Sequence, residues 1–173
     1  KEIHEEPKAV RDTVNPRIRD GRIVLPELPW TREQLEACDM IHIIACGTAY
    51  HAGMVGKYLF ERLCRVPVSV DVASEFRYRD PIVTDRSIAI IISQSGETLD
   101  TLVAMRVARE KGAMCIGIVN VVGSSIAREA DHVVYTHAGP EIAVASTKAY
   151  NTQLAALYLL SLHAAERMGR IPE

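Results

Sequence analysis

The chain has 173 residues, 24% of them charged, with a formal net charge of -2 at pH 7 and a pI near 6.3. That length suits one domain burying about 70% of its extended surface, and the charge balance leaves no basic face for nucleic acid. No apolar run approaches the ~20 residues of a membrane span, no signal-peptide pattern opens the chain, and Cys38, Cys46, Cys64 and Cys115 lie too far apart for a zinc motif or a disulfide framework, so no metal, membrane or nucleic-acid partner is expected and the setting expected is reducing and cytoplasmic.

Residues 1–30 are the least regular part, punctuated by Pro7, Pro16, Pro26 and Pro29. They are read as an arm or linker that packs onto a neighbour, ahead of a single domain over residues 31–170. Because the chain opens at "KEIHEE" without a methionine and stops at "RIPE" directly after a strong helix, a piece of a longer protein is expected. Thr31 and Gln34 have the spacing of a capping box and start a short helix.

Five short apolar runs follow: "IHIIA" (41–45), "VPVSVDV" (66–72), "SIAIIIS" (87–93), "MCIGIVN" (114–120) and "HVVYTH" (132–137). Continuous apolarity, rather than alternation, predicts strands covered on both faces. Between them Ala52, Val55, Gly56, Leu59 and Leu63 fall on one helical face, as do Leu99, Leu102, Val103 and Val107. Strand alternating with helix predicts an α/β fold: a five-stranded parallel sheet with right-handed crossovers, flanked by helices as a three-layer sandwich. In the last helix Leu154, Leu157, Tyr158, Ser161, Leu162 and Ala165 form a stripe that Ala155, Ala156, Leu159 and Leu160 widen. A stripe this broad predicts burial against a second domain or subunit.

In such sheets ligands bind beyond the carboxyl ends of the strands. Two loops there have matching chemistry, "CGTAYHAG" after 41–45 and "SQSGET" after 87–93. Each offers a glycine for close backbone approach, hydroxyls, and a helix N-terminus whose N–H groups favour negative charge. Ser93, Ser95 and Thr98, with the Gln94 backbone, are the candidate phosphate donors. From spacing alone the same hydroxyls suit helix capping equally well. GxGxxG and GxxxxGK[ST] are both absent, so no nucleotide cofactor is expected. Cys46 at a strand end reads as a small buried hydrophobe before a nucleophile. His51 is placed to face the site or to pack, and Lys148 to bring a positive charge to the crevice; an ordinary structural role fits either as well.

The motifs "SQSGET", "CGTAYHAG", "SEFRYR", "EIAVASTKAYNTQ" and "KEIHEEPKAVRDT" together resemble the first sugar-isomerase (SIS) subdomain of the glucosamine-6-phosphate synthase family, over essentially the whole chain. The resemblance implies a SIS domain of flavodoxin-like topology. It implies that Ser93, Gln94, Ser95 and Thr98 hold the phosphate of fructose 6-phosphate or glucosamine 6-phosphate. By the same resemblance Cys46, Gly47, Thr48, Val144 and Ser146 contact the sugar. Many members carry serine where this chain has Ala49, so any contact from that hydroxyl is missing. The partners implied are a second SIS subdomain, a glutaminase domain and a second copy in a homodimer. The family's ring-opening, proton-transfer and imine-forming residues match no stretch here, so no catalytic residue is expected, and the chain alone is expected to bind sugar phosphate without turnover and to self-associate through its last helix. Two other readings stand beside this one: a sugar-phosphate-sensing module of a regulator, which would need a basic DNA-reading helix that residues 1–40 do not offer, and a stand-alone sugar-phosphate isomerase, which would need its own base.

Overall fold

Residues 1–171 are described by the computed structural model. The first 30 residues, expected to reach for a neighbour, bury Ala9, Leu25, Leu28 and Trp30 within this chain, although Ile3 and Ile18 stay exposed. Helix α1 (Glu2–Val14) leads through a 3-10 turn into a small antiparallel hairpin, β1 (Ile18–Arg19) and β2 (Arg22–Ile23). Asp20 and Gly21, both at positive φ, make the turn, as two-residue hairpin loops require. Leu25, Leu28 and Trp30 are at most 3% exposed and join the main hydrophobic cluster. Helix α2 (Arg32–Ala37) starts at the expected capping box: Gln34 N–H donates to Thr31 Oγ1 at 3.2 Å and Thr31 N–H to Gln34 Oε1 at 2.9 Å.

The five apolar runs become β3 (Ile41–Ala45), β4 (Val68–Val72), β5 (Ile88–Ser93), β6 (Met114–Val119) and β7 (His132–Tyr135), all parallel in the order β4-β3-β5-β6-β7. Side chains alternate between two cores. Ile43, Ile90, Ile92, Ile116 and Ile118 join one; Ile44, Ala89, Ile91 and Cys115 join the other. Helices α3 (Gly47–Leu63) and α7 (Lys148–Arg167) cover the first core, with α1 laid against α7. Helices α4 (Ala73–Phe76), α5 (Leu99–Glu110) and α6 (Ser125–Glu129) cover the second. The three-layer α/β sandwich is therefore present.

The helix faces are phased differently from expectation. On α3 the buried stripe is Ala49, Ala52, Gly53, Gly56 and Phe60, while Val55, Leu59 and Leu63 are half-buried. The reason is close approach: a Cβ on Gly53 would lie 2.9 Å from Ile43 Cγ2, and one on Gly56 3.0 Å from Leu157 Cδ2. Small residues take the contact and larger ones flank it. On α5, Leu99 is 67% exposed and the buried face is Thr101, Leu102, Ala104, Met105 and Ala108. The breadth of the α7 stripe also has an internal cause. α3 and α1 pack against it, Ala156, Leu157, Leu160 and Ala164 are within the main core, and Tyr158 is half exposed. Two neighbours in the same chain account for the stripe, so it carries no argument for self-association. Among the described residues no helix is long and apolar enough to cross a membrane.

Candidate functional site

The chain leaves β3 for β4 on one side and returns to β5 on the other, so the loops after β3 and β5 part at a topological switch point, where open α/β sheets bind their ligands. A cavity of about 450 Å³ occupies that crevice. Its wall contains Cys46, Gly47 and Thr48 from the first loop, Ser93, Gln94, Ser95 and Thr98 from the second, and Val144 and Ser146 from the segment before α7. The fold thus brings together residues separated by up to a hundred positions in the chain.

The second loop is tightly organised. Ser93, 4% exposed, accepts from Gly96 N–H at 3.0 Å, and its hydroxyl lies 3.2 Å from that of Thr98. Ser95 Oγ accepts from Glu97 N–H at 3.2 Å. Asn120 N–H donates to Gln94 O and Ile126 N–H to Gly96 O, which ties the loop to the strand and helix beside it. Glu97 points away from the cavity and accepts from Ser125 N–H and Oγ–H, both at 2.7 Å. Those two bonds hold its carboxyl below the usual carboxylate range. Gly96 has φ +67, and a Cβ there would run into Ser124. Only glycine fits this turn.

The helix N-termini at the crevice differ in how they are capped. Thr98 and Cys46 occupy the N-cap positions of α5 and α3, yet neither side chain makes a capping hydrogen bond. Gly47, Thr48 and Ala49 of one long helix and Thr98 and Thr101 of the other line the crevice, and these two helix starts, which lack a cap bond from the N-cap side chain, carry the positive ends of two dipoles. At α7 the opposite holds: Glu141 accepts from Thr147 N–H at 2.8 Å, Ala149 N–H at 3.2 Å and Ser146 Oγ–H at 3.1 Å. The carboxylate neutralises that helix end and fixes the segment carrying Val144 and Ser146. No lysine or arginine lines the cavity. An anion there would be held by oriented N–H groups and hydroxyls, a combination suited to phosphate.

Two expected residues lie elsewhere. Lys148 does not bring its charge to the crevice. It is 2% exposed, and its Nζ forms ion pairs with Glu2, at 2.9 Å, and Glu5, and donates to Pro140 O at 2.7 Å. The two carboxylates, Glu5 first, raise its pKa, and Lys148 in turn lowers that of Glu2. Its role is to tie α1 to the segment before α7, helped by Ile142 N–H donating to Glu2 Oε1 at 3.4 Å. His51 is exposed, edge-on to Tyr50 at 5.5 Å, and outside the cavity wall. Burial pushes the Cys64 and Cys115 thiols up to about 12 and Cys38 up to about 11. Cys46 is half-buried in the cavity wall, where Thr101 Oγ1 donates towards its sulfur at 3.7 Å.

Sequence reasoning passed over Thr101 and Gln153, both in the wall. The signal for Gln153 was available: a long polar side chain between Ala149 and Ala156 on the helix face that carries the apolar stripe.

The SIS domain family model matches residues 34–163. Glutamine–fructose-6-phosphate aminotransferase (isomerizing) from Clostridium tetani is 58% identical over 99% of this chain, and that from Caldanaerobacter subterraneus 61% identical over 98%. This chain spans 28% of the length of each. Among solved structures, the C-terminal domain of glucosamine-fructose-6-phosphate aminotransferase from Francisella tularensis superposes with a TM-score of 0.91 at 44% identity, covering 99% of this chain and 48% of that one.

Proposed function

The chain belongs to the SIS domain family, and from that premise we propose that it is the sugar-phosphate-binding subdomain of an isomerizing glutamine–fructose-6-phosphate aminotransferase. In this reading the crevice holds fructose 6-phosphate or glucosamine 6-phosphate. Ser93, Ser95, Thr98 and the Gln94 backbone take the phosphate; Cys46, Gly47, Thr48, Val144 and Ser146 bound the sugar. The observation that supports it most is the pair of long helices whose starts lack a cap bond from the N-cap side chain and line one cavity together with three hydroxyls.

Ring opening and amine transfer need a proton acceptor and an amine within reach of the sugar. The cavity wall holds one carboxylate, Glu141, and it is already engaged by three donors. Lys148 is engaged with Glu2 and Glu5, and His51 lies outside the wall. We therefore assign no catalytic residue to this chain: it grips the substrate, and the acid–base groups come from a second SIS subdomain elsewhere in a longer protein. A glutaminase domain in that protein, a cytoplasmic location and a homodimer complete the proposal.

Calorimetric titration with glucosamine 6-phosphate, free glucosamine and inorganic phosphate tests it. Hydrogen bonds to a charged group contribute about 1.5 to 3 kcal/mol each, so a Ser95→Ala, Thr98→Ala double variant is expected to weaken the phosphate ester by about 100-fold or more. Equal binding by wild type and variant would overturn the phosphate assignment.

A further inference from the structure

Gln153 occupies a position where a side chain of its length is ordinarily apolar. On α7 it is 2% exposed, and its Oε1 is buried without a hydrogen-bond partner. Native interiors seldom leave a buried polar group unmade, and each exception calls for a cause. Its neighbours on the helix supply no partner: Thr152 Oγ1 donates back to Ala149 O at 2.9 Å. Yet Gln153 is part of the cavity wall, together with Ala49, Ile92, Ala143 and Val144, which bring no polar side chain. The hydroxyls of Ser93, Ser95 and Thr98 bond among themselves and to the loop backbone. Gln153 is thus the one polar side chain of the wall whose acceptor is buried and idle.

We propose that Gln153 reads a hydroxyl of the bound sugar. This inference rests on the sugar-phosphate reading of the cavity and goes beyond it by naming what separates a sugar phosphate from phosphate alone. An amide offers one acceptor and two donors, which complements a hydroxyl, itself both donor and acceptor. The terminal torsion of a glutamine is broad, so rotation turns Oε1 from its sealed position towards the cavity without moving the helix. The residue then contributes selectivity: an empty or phosphate-only cavity leaves its acceptor unmade, and a polyol satisfies it. A site built to hydrogen-bond a hydroxyl discriminates strongly against ligands that lack one.

The test is Gln153→Met, close in length and volume, with Gln153→Leu as a second, shorter replacement. Both remove a buried amide oxygen that lacks a partner, so the unliganded protein is expected to melt at the same or a higher temperature. Affinity for glucosamine 6-phosphate should fall about 3- to 10-fold, as expected for one net hydrogen bond, while affinity for inorganic phosphate stays unchanged. Unchanged sugar-phosphate affinity would overturn the role of Gln153 and leave the reading of the cavity standing. A parallel loss of both ligands would also overturn it, because the residue would then support the whole cavity rather than the sugar. If the wild-type protein binds inorganic phosphate but no sugar phosphate, the reading of the cavity fails and this inference with it.

Discussion

The two sides of the cavity are built by opposite means. The loop over residues 93–98 is fastened along its length: hydroxyls bond to its own backbone, and its carbonyls accept from Asn120 and Ile126. The segment over 139–147 is irregular, with Ile142 77% exposed and Val144 fully exposed. It is held at its ends, by Glu141 on the α7 N-terminus and by the Lys148, Glu2 and Glu5 cluster. A charged phosphate is best met by donors that are already in place, whereas a ring that opens and changes shape is better met by a wall that can adjust. Under the function proposed above, the rigid half would take the phosphate and the tethered half the sugar.

The largest effect that would break this comparison comes from Gly96. Gly96→Ala must place a Cβ at φ +67 and push Ser124 aside. The left-handed conformation costs about 1–2 kcal/mol for an alanine and overpacking about 1–3 kcal/mol more, so urea denaturation should report a loss of about 3 kcal/mol. Binding of inorganic phosphate should be lost with it. Gly139, at φ +70 at the start of the 139–147 segment, has open space where its Cβ would go. Gly139→Ala should therefore show the conformational part alone, about 1–2 kcal/mol, with phosphate binding retained. Equal losses at the two glycines would mean that the 93–98 loop is no more tightly built than its counterpart.

Lys148 probes the tether. Lys148→Met leaves Glu2 and Glu5 without their buried cation and frees Pro140 O, so the 139–147 segment loses one of its ties. The thermal midpoint should fall, and sugar-phosphate affinity should weaken about tenfold, the size of one good hydrogen bond, with inorganic phosphate unaffected. The falling midpoint distinguishes it from Gln153→Met. The pH dependence follows from the directions of the shifts. Lys148 has a raised pKa, so its contribution is complete below its ordinary value of 10.5 and is lost as pH rises through the higher folded value. Glu2 has a lowered pKa, so its contribution is complete above 4.5 and is lost as pH falls through the lower folded value. Stability from the cluster should be flat between those limits, and Glu2→Gln should flatten the acid limb. An acid limb that is the same in wild type and Glu2→Gln would remove Glu2 from the tether.

What could be read from the chain beforehand divides along similar lines. The five strands were legible because a sheet covered on both faces demands unbroken runs such as "IAIIIS", and each run falls within two residues of the observed bounds. Helix faces were misread because the closest contacts use the smallest side chains. Gly53 and Gly56 touch Ile43 and Leu157, and so the large residues Val55 and Leu59 mark the margin of the face instead of its centre. The serines and threonine of the 93–98 loop were visible, but capping and anion binding use the same residues at the same spacing. The structure shows that Thr98 is an N-cap without a side-chain bond, whereas Ser93 and Ser95 accept from N–H groups of their own loop. Lys148 could not be placed from sequence, since its partner Glu5 lies 143 residues away. The outward position of Leu99 was likewise hidden, because periodicity alone does not say where on a helix the core begins.

The smallest effect belongs to Val144, and it is the sharpest way to ask whether the tethered segment is a wall or a cover. Val144 is fully exposed, though it borders the cavity. A side chain that buries no surface in the free protein contributes nothing to its packing, so Val144→Ala should leave stability within about 0.5 kcal/mol. If the segment closes over a bound sugar, the two methyl groups become buried only in the complex. Removing them should then weaken glucosamine 6-phosphate by about 4- to 15-fold, at ~0.8 kcal/mol for each carbon buried, and leave inorganic phosphate alone because so small an ion gives the segment nothing to close upon. An effect on ligand without an effect on folding would mark the segment as a cover that acts only when the cavity is filled. If neither quantity changes, Val144 stays in water throughout, and the tethered half grips its ligand through Ser146 and backbone groups alone.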